Sequence, residues 1–132
     1  MKEAREQAAS ILTKDLKLWV TGGEYYHSDY DTTRLDTTEY IGLDGTVEQG
    51  VSFPHTLSMH CMATVLDANE DIDQTFIIGG TGKQTWIFDH NSKLYDLERP
   101  DMNQKRAGLG CATFYSKGHD ERPILIAAGT VL

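Results

Sequence analysis

Short apolar runs, none longer than a strand needs, alternate with polar tips along nearly the whole chain. "QAASIL" from Gln7, "CMATVL" from Cys61 and "CATFYS" from Cys111 each open a pair of runs, which "KLWVTGG", "QTFIIGG" and "ILIAAGT" close. The closing glycines Gly23, Gly80 and Gly129 lie 57 and 49 residues apart, and the opening runs start 16, 19 and 18 residues before them. The intervening tips "TKD", "DANEDIDQ" and "KGHDER" are polar, so each pair predicts a hairpin. Further on, "TEYIGLDGTVEQG" and "QTWIFDHNSKLYDL" share an apolar-then-Asp pattern that aligns Asp44 with Asp89. Each unit therefore reads as strand, hairpin, strand ending in glycine, loop, strand, turn, strand. The segment "KEAREQAASIL" would suit a helix taken alone. The phase of the repeat assigns its end to a strand instead, and the expected fold class is all-β.

A period near 50 residues, four short strands and a double glycine resemble the kelch repeat of β-propellers. The stretch "LYDLERPDMNQKRAGLGCATF" carries the family's aromatic, Pro-x-Met, Arg and Gly, as Tyr95, Pro100, Met102, Arg106 and Gly108. The resemblance implies a partial kelch-type β-propeller of four-stranded antiparallel blades, with units at about 1–52, 53–104 and 105–132. In this alignment Thr56 is the counterpart of Arg106, and "AAGT" carries one glycine where the other units carry two. Glycines at Gly22-Gly23 and Gly79-Gly80 would let a ring lie against the backbone, with Trp86 or Tyr95 expected to supply it in the second unit. Propellers typically have four to eight blades. The chain is thus expected to be a fragment of a larger propeller, or a subunit whose partners complete a ring. Its exposed blade faces would favour self-association.

The net charge of −8 and pI near 4.9 argue against nucleic acid, which needs basic stripes, and against an anionic membrane surface. No apolar run reaches membrane-spanning length, and no signal-peptide pattern opens the sequence. Cys61 and Cys111 form no metal spacing and sit in apolar runs. They are expected to be buried free thiols, which leans towards a reducing, cytoplasmic compartment.

"FIIGGTGKQTWIF" invites a phosphate-loop reading, but both ends miss. The first glycine of the pattern falls on Ile77 and the metal-binding hydroxyl on Gln84. A strand, and not the helix that an anion site requires, is predicted after it. Asp67, Asn69, Asp71 and Asp73 alternate as in a calcium loop, yet Ile72 and Ile78 occupy its glycine and glutamate positions. A solvated hairpin tip is expected there. His27, His55, His60, His90 and His119 show no metal spacing, and no G-x-S-x-G occurs. No catalytic residue, metal or cofactor is predicted.

The loop "EYYHSDYDTTRLDT" is about 12 residues longer than its second-unit counterpart. Tyrosine and arginine dominate binding hot spots, and loops on rigid scaffolds carry recognition. Tyr25, Tyr26, His27, Tyr30 and Arg34 are therefore the candidate partner-binding residues, set against the alternative of a variable surface loop. The leading expectation is a non-catalytic protein-binding scaffold whose protein partner the sequence does not identify. The resemblance also admits part of a kelch-propeller enzyme, such as a copper-dependent carbohydrate oxidase with tyrosine, histidine and a tyrosine–cysteine link, or a truncated chain without activity of its own.

Overall fold

A computed structural model describes residues 1–28, 31–65, 73–80, 82–96, 100–115 and 123–132. Among them there are twelve strands and no helix. Strands β1 (Ala9–Leu12), β2 (Leu18–Thr21), β5 (Thr38–Ile41) and β6 (Val47–Gln49) form a first antiparallel sheet in that order. Strands β7 (His60–Val65), β8 (Gln74–Gly79), β9 (Thr85–Asp89) and β10 (Leu94–Asp96) form a second. Strands β11 (Arg106–Tyr115) and β12 (Pro123–Val131) pair as a two-stranded third sheet. A separate ribbon, β3 (Glu24–Ser28) with β4 (Asp31–Arg34), is inserted between β2 and β5.

Turn chemistry punctuates the first two sheets as the sequence suggests. In the first hairpin Thr13 N–H donates to the Lys17 carbonyl at 2.8 Å, with Leu16 at φ 60 between them. Asp44 accepts from the Thr46 N–H at 3.0 Å, and Asp89 from the Asn91 N–H at 2.8 Å. Both carboxylates mimic a backbone acceptor and close the turn before the last strand of their sheets.

The sheets are joined at their inner edges, where β7 packs against both β1 and β11. Met59 N–H donates to the Gln7 carbonyl at 3.0 Å, and Gly108 N–H to the Met59 carbonyl at 2.9 Å. Gln7, Met59 and Gly108 all have positive φ, at 54, 55 and 59. The same backbone step thus recurs just before β1 and β7 and at the register shift near the start of β11. Between the first two sheets lies an aromatic core. Trp19 is fully buried, 4.7 Å from Phe88 and 6.0 Å from Tyr40 between ring centroids, while Phe53 fills the space beside Trp86 and Tyr95. Aromatic surfaces of this size dominate core energetics.

Three expectations need correction. Cys61 and Cys111 are not free thiols. They form a disulfide, with Cα atoms 5.8 Å apart, because β7 and β11 run closer together than the roughly 10 Å between stacked sheets. The leaning towards a reducing compartment loses its basis. Secondly, neither Trp86 nor Tyr95 lies on the double glycine. A Cβ at Gly80 would come within 2.7 Å of the Ser58 carbonyl oxygen, and one at Gly79 would overlap the Leu109 side chain. The glycines make room for incoming backbone and an aliphatic side chain. Gly23 and Gly129 stand in the same relation to the carbonyls of Glu6 and Ala107, at 2.7 and 2.9 Å. Thirdly, since Glu6, Ser58 and Ala107 correspond, the counterpart of Arg106 is Leu57 in the second unit and Arg5 in the first, not Thr56. Arg5 Nη1 donates to the Gly22 carbonyl at 2.7 Å, and Arg106 Nη1 to the Gly129 carbonyl at 2.9 Å.

Candidate functional site

The long polar insertion forms a two-stranded antiparallel ribbon and not an irregular loop. Its register pairs Glu24 with Arg34, Tyr25 with Thr33 and Tyr26 with Thr32, and shifts between Tyr26 and Ser28. Alternation along a strand sends successive side chains to opposite faces, so the candidate residues divide into two groups. Tyr25 and His27 share one face, their rings edge-on at 4.5 Å, with His27 Nε2 3.0 Å from the Thr33 hydroxyl. Tyr26 and Arg34 lie on the other face beside Glu24. Tyr30 lies outside the described residues.

Glu24 ties the ribbon to the sheets. It is 5% exposed, and a carboxylate so placed must be matched by donors. The Ser58 hydroxyl donates to Oε1 at 2.7 Å, Arg34 Nε donates to the same oxygen at 3.2 Å, and the Tyr26 hydroxyl donates to Oε2 at 3.3 Å. The Ser58 hydrogen bond holds the carboxyl below its ordinary pKa of 4.5, burial opposes this, and Arg34 adds to the lowering. Glu24 thus stays ionised. Backbone bonds complete the anchor, with Leu35 N–H on the Gly23 carbonyl at 2.9 Å and Gly23 N–H on the Leu57 carbonyl at 2.7 Å.

An open groove of about 670 Å³ runs along this face, lined by Glu24, Thr32, Thr33, Arg34 and Thr56. Tyr26 is 45% exposed and Tyr25 is 40% exposed. The arrangement holds large amphipathic side chains in solvent at little further cost in conformational entropy. Sequence reasoning named the tyrosines and the arginine as candidates but not Glu24 and Ser58, the group to which Tyr26 and Arg34 are tied. Nothing local marks a glutamate after a glycine as buried.

Gly82 and Lys83 are followed by strand β9, and the Lys83 carbonyl accepts from the Met102 N–H at 2.9 Å. Asp67, Asn69, Asp71 and His119 lie outside the described residues, while the Asp73 carbonyl accepts from the His90 N–H at 2.9 Å. His60 and His90 are buried. His60 Nε2 is 2.7 Å from the Thr21 hydroxyl, and burial depresses its pKa to about 4. His90 bridges Thr75 at 2.8 Å and the Tyr40 hydroxyl at 3.2 Å, and burial lowers its pKa too. His55 packs on Phe53 and Trp86. No group of three or more His, Cys, Asp or Glu residues forms a metal-binding cluster among the described residues. Both cysteines are engaged with each other, so neither thiol is free to join a tyrosine. No protein-family model matches the chain, and no curated protein matches it.

Proposed function

We propose that the chain is part of a kelch-type β-propeller and acts as a non-catalytic protein-binding scaffold, presenting the β3–β4 ribbon to a partner protein. Support for the propeller comes from the recurring inner-edge step at Gln7, Met59 and Gly108 and from the two four-stranded antiparallel sheets. One observation carries the binding role. Tyr25 and Tyr26 are held in solvent on opposite faces of a ribbon whose root is a buried, fully engaged carboxylate. Rigid aromatics on a preorganised element bind with small ordering costs. The disulfide fits an oxidising compartment.

The test compares the chain with a Tyr25→Ala, Tyr26→Ala double variant as baits for quantitative capture from extracts of the source cells. Loss of a pair of hot-spot tyrosines is expected to cost about 2 kcal/mol or more, roughly thirtyfold in affinity, with far-UV circular dichroism unchanged. Equal capture by the two baits would reject the ribbon as the recognition element.

A further inference from the structure

The geometry points to the cleft between the first and second sheets as a binding site for a neutral saccharide. Register builds one wall. Tyr40 stands opposite both Trp19 and Glu48, so the three side chains form a row on the face turned to the second sheet. Trp19 is sealed against Phe88, whereas Tyr40 and Glu48 line an open cavity of about 540 Å³. His90, Asn91 and Lys93, from the turn after β9, supply the facing wall. The volume lies within the range of small-molecule sites, roughly 300–1,000 Å³.

Donors and acceptors sit side by side along this lining. On the first sheet the Lys17 ammonium lies 2.9 Å from a Glu48 oxygen and 3.9 Å from one of Asp15. Across the cleft the Asn91 amide offers both functions, and Lys93 Nζ stands 5.0 Å from the centre of the Tyr40 ring. A hydroxyl both donates and accepts. Of two adjacent sugar hydroxyls, one can donate to Glu48 while its neighbour accepts from Lys17. The floor is preorganised, since the Tyr40 hydroxyl lies 3.2 Å from His90 Nδ1 and His90 Nε2 lies 2.8 Å from the Thr75 hydroxyl. Lys93 reaches over the Tyr40 ring on a flexible four-carbon stem, so it can swing aside and bond the ligand from the rim.

The same lining disfavours other ligand classes. Its three carboxylates, Asp15, Glu48 and Asp73, outnumber the ammonium groups of Lys17 and Lys93, so a phosphate or carboxylate ligand meets net repulsion. A cationic ligand would have to displace Lys17 from Glu48 and Lys93 from the Tyr40 ring. Val51 is the one aliphatic side chain in the lining, which leaves an apolar ligand without a wall to cover it. No metal-binding cluster forms among the described residues. A neutral polyol binds while each ion keeps its present partner.

The cleft and the β3–β4 ribbon are separate. Asp15 and Lys17 belong to the hairpin turn that precedes β2, and the ribbon follows the other end of that strand. Saccharide binding here is therefore independent of the ribbon's role in capturing a protein.

The probes are neutral oligosaccharides on a glycan array, with sialylated and sulfated glycans as anionic controls. The neutral glycan that the array retains is then titrated, free in solution, into isotope-labelled chain and followed by NMR. Saturable binding is expected, with amide shifts at Tyr40, Glu48 and residues 90–93. A Glu48→Ala, Asn91→Ala double variant, altered at two exposed positions, should bind at least about tenfold more weakly. An unchanged Tm and unchanged shifts in β7 and β8 report that this variant is folded. Retention of no neutral glycan, preference for the anionic ones, undiminished binding by the folded variant, or shifts on β3–β4 in place of the cleft would each overturn the proposal.

Discussion

The Ser58 hydroxyl donates to the Glu24 carboxylate across 2.7 Å, joining the base of the β3–β4 ribbon to the segment that enters the second sheet. Both residues are buried. The bond therefore links display of the tyrosines to the stability of the sheets, because a charged acceptor out of water depends on each of its donors.

Ser58→Ala is expected to destabilise the fold by about 1.5–3 kcal/mol, the usual worth of a buried hydrogen bond to a charged group. The change also alters the pH response. Glu24 has a folded pKa below its ordinary 4.5, so its stabilisation is fully present above that value and is lost as pH falls through the depressed one. Removing the Ser58 donor should shallow this acid limb. Urea unfolding of both proteins between pH 6 and pH 3 measures both effects, and parallel curves would separate Ser58 from the Glu24 ionisation.

His60 adds acid sensitivity at higher pH. Its folded pKa is about 4 against an ordinary 6.5, so the unfolded chain takes up a proton that the folded one refuses. Stability is greatest above pH 6.5 and falls as the pH drops towards 4, by about 2 kcal/mol between pH 7 and pH 5. His60→Gln should remove most of that slope. Unfolding free energies at the two pH values decide the matter, and His90 contributes in the same direction through its own burial.

The Cys61–Cys111 bridge encloses 50 residues of sequence separation. Loop-closure entropy assigns such a crosslink about 4 kcal/mol at most. A Cys61→Ser, Cys111→Ser variant should melt well below the parent. Reductant should lower the parent's Tm towards the variant's while leaving the variant unchanged. A linked peptide carrying both cysteines in a non-reducing digest verifies the connection directly.

Gly22 and Gly45 both have positive φ, at 57 and 83, yet only Gly22 faces an obstacle. A Cβ there would overlap the Leu57 carbonyl oxygen, whereas none would meet an atom within 4 Å at Gly45. Gly45→Ala should therefore cost only the backbone term of about 1–2 kcal/mol. Gly22→Ala should cost about 3 kcal/mol or more, because Leu57 lies on backbone that cannot step aside. Equal costs would show that the inner-edge packing yields more easily than its geometry implies.

Alternating apolar runs, polar tips and phased glycines determined the strands, their hairpin order and the four-stranded plan of the first two sheets. Those features are local, since a strand's period and a turn's φ requirement are written in adjacent residues. Tertiary structure alone decided which distant groups meet. Cys61 and Cys111 occupy matching places in successive repeats, so nothing in the spacing says that their strands converge. Arg5 and Arg106 look unrelated until the carbonyls of Gly22 and Gly129 are brought to them. Likewise the insertion displayed its tyrosines plainly in the sequence, while Glu24 became an anchor only when folding removed it from water and set Ser58 beside it.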